Sequence, residues 1–190
     1  MRACHARTGR DAVFVLTRRL VLRPAWAEEA AALQAAIAHE AVAMKLARLP
    51  WPYTLDDARW WLDQPRGETE PRFQIYDRTD GHRLIGGIGI ELDSPFGGPE
   101  LGYWLTPDAW GRGYCTEAGA ALLSTARDTL RLERLVSGHW VKNPASGRVL
   151  VKLGFVPTGE TEKRHCMAQG REVDCATYTL DLRQEQGLAA

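Results

Sequence analysis

The 190-residue chain has no excess of either charge: 24 Lys and Arg stand against 24 Asp and Glu. A protein that grips nucleic acid through its phosphates usually carries a large basic excess, so nucleic acid is not an expected partner. Cysteine is scarce. Cys4, Cys115, Cys166 and Cys175 stand singly, with no C-x-x-C pair. That argues against a zinc ribbon or a disulfide scaffold, and a reducing cytoplasm is the expected compartment. No metal site is expected. No apolar run approaches the ~20 residues that span a bilayer, so no membrane role is expected. The Arg-rich Met1–Asp11 lacks the apolar stretch of a signal peptide. Internal repeats and low-complexity linkers are missing as well. What is present, 45% hydrophobic and 25% charged residues, is the composition of one globular domain.

Residues 1–12 show no periodicity and are expected to form a flexible tail. The domain is expected over 13–183, with a frayed C-terminus over 184–190. Val13–Leu16 and Leu20–Arg23 read as short strands ended by Pro24. The Ala-rich run from Trp26 to Ala38 reads as a helix with Glu28 and Glu29 in its first turn. LPWP (49–52) must be irregular, because proline lacks a donor and disrupts helices. Thr54 is placed to cap a helix through Leu62, whose Trp60 and Trp61 are expected to cover the core. A polar loop follows over 64–71.

Arg72–Arg78 and Arg83–Leu92 read as a hairpin turned by Thr79-Asp80-Gly81. Gly86, Gly87 and Gly89 inside the second strand imply a bulge or a close backbone approach. SPFGGP (94–99) turns the chain into the strand Glu100–Leu105. A helix over Thr116–Leu130 and a strand over Leu135–Val141 come next. A second helix, Asn143–Leu153, has Asn143 as cap, Pro144 at its first position and Gly154 at its end. Gly170 marks a final hairpin between Thr161–Met167 and Val173–Leu182. An antiparallel meander followed by strand–helix–strand units gives an α/β (α+β) domain: a mixed sheet with helices on its faces.

The most specific stretch is WLTPDAWGRGYCTEA (104–118). A strand enters a loop with Gly111 and Gly113 at alternate positions, and a helix of small residues follows. Glycine leaves no side chain between the backbone amides and a ligand. The helix N-terminus adds partial positive charge, so the site suits a phosphate or pyrophosphate, and Arg112 can add a full charge. It is not a P-loop, because no Gly-Lys-Ser/Thr follows. Nor is it a dinucleotide fingerprint, because the third glycine is missing. Downstream, VKNPAS (141–146) leads to KLGF (152–155). Asn143 and Ser146 lie three apart on one helical turn; either alone is explained as a cap or a surface residue.

Together the two stretches resemble the GNAT superfamily of acyl-CoA-dependent N-acetyltransferases. WGRGYC resembles its pyrophosphate loop, and NPAS followed by KLGF resembles its later cofactor-binding helix. TRRLVLRP, YTLDDARWWL and GYWLTPDAWGRGYCTEA resemble the subgroup of ribosomal-protein alanine/serine N-terminal acetyltransferases. The likeness runs from Thr17 to Leu182. Two positions depart from the broad pattern: Trp110 stands for Gln or Arg, and Cys115 for Gly or Ala.

The resemblance implies acetyl-CoA as donor, lying between two splayed central strands of a mostly antiparallel sheet. It implies that backbone groups near Trp104 and Leu105 bond pantetheine. The amides of Arg112, Gly113, Tyr114, Cys115 and Thr116 would hold the pyrophosphate, and Asn143 the pantetheine arm. An amine acceptor would attack the thioester directly, with the N–H near Leu105 opposing the developing charge. Glu100 is the first candidate for general base, with an exposed edge-strand carboxylate as the alternative reading; Glu91 and Glu160 rank below it. The tyrosine that many members place on the second cofactor helix is missing between Asn143 and Phe155. Ser146 or water is left to protonate the thiolate. Cys115 is expected to pack, and His139 and His165 to be structural or exposed. The acceptor is the α-amine of a protein or peptide, or a small-molecule amine, met by Trp51, Tyr53, Trp60, Arg164 and His165. A non-catalytic CoA-binding sensor is the alternative from another class, and a homodimer is an arrangement the family suggests.

Overall fold

Alternation builds the sheet. In a computed structural model, which describes residues 14–65, 70–92, 94 and 96–183, strand β2 (Leu20–Arg23) buries Leu20 and Leu22 completely on one face. Burying each such side chain contributes about 1.5–3 kcal/mol. It pairs with β1 (Val15–Leu16) and with β3 (Arg72–Asp77), and β3 pairs with β4 (Arg83–Glu91). Next come β5 (Glu100–Leu105), β6 (Arg134–Trp140), β7 (Val156–Cys166) and β8 (Arg171–Asp181). The eight strands lie in the order β1-β2-β3-β4-β5-β6-β8-β7. Every neighbouring pair is antiparallel except β5 and β6, which run parallel and register at a single pair, Glu100 with Val136. Beyond that pair the two strands diverge. The mixed, mostly antiparallel sheet and its splayed centre are as expected.

Helices cover both faces and divide the core in two. On one face α4 (Tyr114–Asp128) and α5 (Pro144–Lys152) cover Leu101, Leu105, Ile85 and Leu135. On the other lie α1 (Ala30–Ile37), the single turn α2 (Glu40–Ala43) and α3 (Leu55–Asp63), over Tyr76, Leu84 and Trp104. Thr54 caps α3 as expected: Asp57 N–H donates to its hydroxyl at 3.2 Å, and Asp57 accepts from Thr54 N–H at 2.7 Å. The Trp26–Ala38 helix is shorter than expected, because a 3₁₀ turn over Ala27–Glu29 precedes α1. The α2 turn carries too few residues for a periodic signal and was not anticipated. Both alternatives for the β4 glycines occur. The register of β3 and β4 shifts between Ile75 and Tyr76, and a Cβ on Gly86 would sit 2.3 Å from the Trp104 carbonyl oxygen. At the end of α5, Phe155 N–H returns to the Leu150 carbonyl across Gly154, whose φ is +89°.

Two expectations about aromatic side chains need correction. Trp60 is 65% exposed and covers nothing, whereas Trp61 packs on the α1–α3 core. Tyr53 is buried in that core rather than presented to a ligand. The expected tail (1–12), part of the 64–71 loop and the expected frayed end (184–190) lie outside the described residues. Among the described residues no helix is long and apolar enough to cross a membrane.

Candidate active site

The divergence of β5 from β6 leaves a cavity of about 390 Å³. Its floor is β5 and β6, one end is the glycine loop, and one wall is α5. Because Thr106 N–H donates to Ile85 C=O, alternation along β5 turns the backbone of Trp104 toward β4 and that of Tyr103 and Leu105 toward the opening. The strand edge facing a ligand is therefore offered by Tyr103 and Leu105. Trp104 lines the cavity, but its backbone is turned to β4.

Gly111 and Gly113 have φ of +73° and +77°, a region costly for any residue with a Cβ. Their conformation points the chain into α4, whose first internal bond is Glu117 N–H to Gly113 C=O at 3.0 Å. The amides of Tyr114, Cys115 and Thr116 precede that bond and are left over by the helix. The Tyr114 ring turns inward, its hydroxyl donating to Asp77 at 2.5 Å. The loop is latched from outside by the turn between β1 and β2. Arg19 donates to the Arg112 carbonyl at 3.0 Å and to the Glu117 carboxylate at 2.7 Å, which also accepts from Thr17 at 2.6 Å. Burial alone would raise Glu117, but these bonds hold it below the usual range. The Arg112 side chain is exposed and does not line the cavity, so it is not brought together with Gly113, Tyr114, Cys115 and Thr116.

Trp110 explains its own departure from the broad pattern. Its indole N–H donates to Leu105 C=O at 2.9 Å and pins the loop to the end of β5. The Lys45 ammonium lies 4.7 Å from its ring. Cys115 is a packing residue: burial pushes its thiol up to about 12, overriding the acidifying effect of a helix N-terminus.

Asn143 sits at the expected cap position, but its side chain makes no capping bond, contrary to expectation. It lines the cavity with Ser146. Ser146 has a partner that sequence reasoning missed: the Tyr103 hydroxyl lies 2.8 Å from its Oγ and 3.0 Å from its carbonyl oxygen. Burial pushes the Tyr103 phenol well above the usual range, so it stays protonated at neutral pH. The signal was present in the alternation of ELGYWL, which puts Leu101, Tyr103 and Leu105 on the α4–α5 face.

Glu100, Gly102 and Trp104 occupy the opposite face. Glu100 lines the cavity, with its carboxylate gripped by both terminal nitrogens of Arg164 at 3.0 and 3.2 Å and by the Ser94 hydroxyl. Arg164 in turn stacks 3.5 Å from the Phe96 ring centre. The other two carboxylates are elsewhere. Arg48 forks onto Glu91 and holds it below the usual carboxylate range, and Glu160 is exposed on β7; neither lines the cavity. His139 lines it but is held, Nδ1 to Trp140 C=O at 2.8 Å and Nε2 to the Tyr178 hydroxyl at 3.3 Å. His165 is exposed. Of the proposed acceptor aromatics, Trp51 and Trp60 do not reach the cavity.

A polar-ended groove of this shape, with spare helix amides, an uncommitted Asn and four cationic side chains (Lys45, Arg148, Lys152, Arg164) against one carboxylate, fits a long anionic thioester cofactor. Residues 19–156 match the family model of the acetyltransferase (GNAT) domain. "Uncharacterized N-acetyltransferase YoaA" of Bacillus subtilis (strain 168) is 30% identical over 105 residues, 55% of this chain and 59% of that protein. The alignment thus spans less than two thirds of that relative. A GNAT-family acetyltransferase structure from Bacillus anthracis gives a TM-score of 0.76 at 20% identity, covering 90% of this chain and 100% of that one. RimL, a ribosomal L7/L12 α-N-protein acetyltransferase solved with coenzyme A, gives 0.72 at 21% identity, covering 89% and 98%. At such identities these two structures establish the fold, and the family match covers most of the chain. The chain belongs to the GNAT acetyltransferases.

Proposed function

We propose that the protein transfers an acetyl group from acetyl-CoA to a primary amine, and that this amine is the N-terminal α-amine of a peptide or protein. The observation that carries the first part is the unpaired edge of β5 opening onto the spare amides of α4. The peptide preference is supported by the subgroup resemblance and by the likeness to RimL, an α-N-protein acetyltransferase. Acetyl-CoA supplies the activated thioester carbonyl. The amides of Gly113, Tyr114, Cys115 and Thr116 hold its pyrophosphate, with Arg112 as a distant charge. The Asn143 side chain and the Tyr103 and Leu105 edge would hold the pantetheine arm.

The two faces of β5 divide the proton chemistry. On the α4–α5 face Ser146 Oγ–H gives a proton at the sulfur, and Tyr103 positions that residue, its hydroxyl donating to the Ser146 carbonyl oxygen at 3.0 Å and lying 2.8 Å from Oγ. On the other face Glu100 takes the proton of the attacking amine. A carboxylate offers about four acceptor positions. Arg164 and Ser94 occupy one on Oε1 and two on Oε2, which leaves one on Oε1.

Free-thiol release from acetyl-CoA, measured against short peptides of varied first residue and a panel of small amines, tests this reading. Turnover of peptides is expected. Turnover of small amines alone would overturn the peptide assignment. Binding of acetyl-CoA with no thiol release from any amine would make the protein a CoA-binding module.

A further inference from the structure

We propose that the indole N–H of Trp140 binds the carbonyl oxygen next to the reacting amine, so that this enzyme selects α-amino carbonyl acceptors over plain alkylamines. The inference rests on the acetyl-transfer reading above and adds a specificity residue to it. Trp140 closes β6 and is 5% exposed, yet it lines the cavity. Its Nε1 is buried with no hydrogen-bond partner. Among the described residues two other buried side-chain atoms share that state, on Gln74 and Thr106, and neither residue lines the cavity. A buried donor without a partner is costly, and native structures rarely keep one unless something else satisfies it.

The chemistry of the indole narrows what that is. Tryptophan donates only and accepts nothing. Its partner is therefore an oxygen lone pair and never the ammonium of the acceptor. Position narrows it further. Strand alternation puts Val136, Gly138 and Trp140 on one face of β6, the face that carries Phe96 and Cys175: a Cβ on Gly138 would stand 2.8 Å from Cys175 Sγ and 3.0 Å from the Phe96 ring. Phe96 supports Arg164, and Arg164 holds Glu100. The indole donor thus shares a wall with the carboxylate that receives the amine proton. It lies on the opposite face from Tyr103 and Ser146, where the sulfur is handled. A wall with a proton acceptor and a proton donor is complementary to a ligand with an amine and a carbonyl on adjacent carbons. A plain alkylamine would leave the indole unsatisfied, and polar sites built for a partner reject analogues that lack it.

The test compares alanine amide with 2-aminobutane as acceptors for the wild type and for Trp140→Phe. Dividing each variant rate by the wild-type rate with the same amine removes the intrinsic difference between the amines. Trp140→Phe is expected to lower kcat/KM for alanine amide by about 10- to 100-fold. It should change that for 2-aminobutane by less than about threefold, at unchanged acetyl-CoA affinity by calorimetry. Equal losses with both amines would place the indole on the thioester carbonyl and overturn the proposal, as would no loss with alanine amide. If the wild type binds acetyl-CoA but acetylates neither amine nor any peptide, the transfer reading itself fails. Should Trp140→Phe not fold, the wild type labelled with ¹⁵N-tryptophan gives a second readout from its seven indoles. With CoA bound, N-acetylalanine amide is expected to move the Trp140 Nε1–H resonance downfield. A Trp140 signal that stays in place would overturn the proposal.

Discussion

The two sides of strand β5 are built from different materials. The α4–α5 side, which would receive the cofactor in the proposed reading, is made mostly of backbone: two glycines in the left-handed region, the spare amides of α4 and the edge of β5 at Tyr103 and Leu105 that pairs with no strand. The other side is made of side chains that reach one another across the sheet: Glu100 to Arg164, Arg164 to Phe96, and Trp140 beside them. A backbone site tolerates changes of side chain as long as the dihedral angles survive, which is how Cys115 can depart from the common pattern. A side-chain site has no such latitude: Glu100 depends on Arg164 and Ser94, and Arg164 on Glu100 and Phe96. The contrast accounts for a family that keeps its donor and varies its acceptor.

The strongest way to break this contrast is to damage the backbone side with one side chain. Gly113→Glu adds a Cβ at φ +77°, which costs about 1–2 kcal/mol, and sets a carboxylate at a helix N-terminus meant for phosphate. Acetyl-CoA affinity is expected to fall by about 100-fold in calorimetry. Asn143→Ala should cost about 10-fold, the worth of one hydrogen bond in a partly buried site. Unchanged affinity for both would remove the loop as the cofactor site.

On the other side the expected effect is smaller and of another kind. Glu100 and Arg164 have side chains 16% and 17% exposed, so removing one partner leaves a mostly buried charge alone. Arg164→Ala is expected to lower unfolding free energy by roughly 1–3 kcal/mol and turnover by about 10- to 30-fold, with acetyl-CoA affinity intact. Adding Glu100→Gln to it should recover stability but not turnover. Recovery of both would mean that the pair only braces the fold. A loss of acetyl-CoA affinity in Arg164→Ala would erase the division between the two sides.

Tyr103 belongs to the cofactor side yet acts by a side chain, so it sharpens the comparison. Tyr103→Phe is expected to lower kcat by about 10-fold with little change in KM for acetyl-CoA, a fraction of what a full general acid contributes. Because Tyr103 works through Ser146, the double variant with Ser146→Ala should be no slower than Ser146→Ala alone. Additive losses in stopped-flow turnover would show that the phenol acts independently.

The same contrast marks what could be read from the residues alone. Backbone devices leave local signatures: Gly111 and Gly113 before a run of small residues, Thr54 before Asp57, Pro144 before and Gly154 after a helix. Each works within a few residues of chain, and each appears where expected. Glu100 and Arg164 are 64 residues apart and on strands separated by β6 and β8. Nothing local marks either as the other's partner, so Glu100 read as a free base. Tyr103 could have been found, since alternation along β5 puts it on the face of the helix that lacks the usual tyrosine. Asn143 was over-read in the other direction: a cap position does not make a capping bond, and its uncommitted amide is what fits it for a ligand. Tyr53 turned inward and Trp60 outward, against expectation, because hydrophobicity alone does not say which aromatic of a helix and its approach is buried.

Cys115 gives the smallest effect and the finest test of a backbone site. Its amide belongs to the loop, whereas its half-buried side chain packs against the core and its thiol is raised from 9.0 to about 12. A group whose pKa is raised on folding binds its proton more tightly in the folded state. The stabilisation is complete below the unfolded value near 9 and is lost as the pH climbs through the folded value near 12. Over that window the thiol makes stability fall by at most about 1.4 kcal/mol per pH unit, the slope for one proton. Cys115→Ala is therefore expected to flatten the alkaline limb of the stability curve between about pH 9 and 11 relative to the wild type. At neutral pH it should leave acetyl-CoA affinity within about twofold, because the amide proposed to meet the phosphate is retained. Urea unfolding across that pH range checks the first outcome and calorimetry the second. Identical alkaline limbs would show that the thiol is solvated in the folded protein. A large loss of affinity would show that the loop reads the side chain at this position, contrary to a loop that works through its backbone.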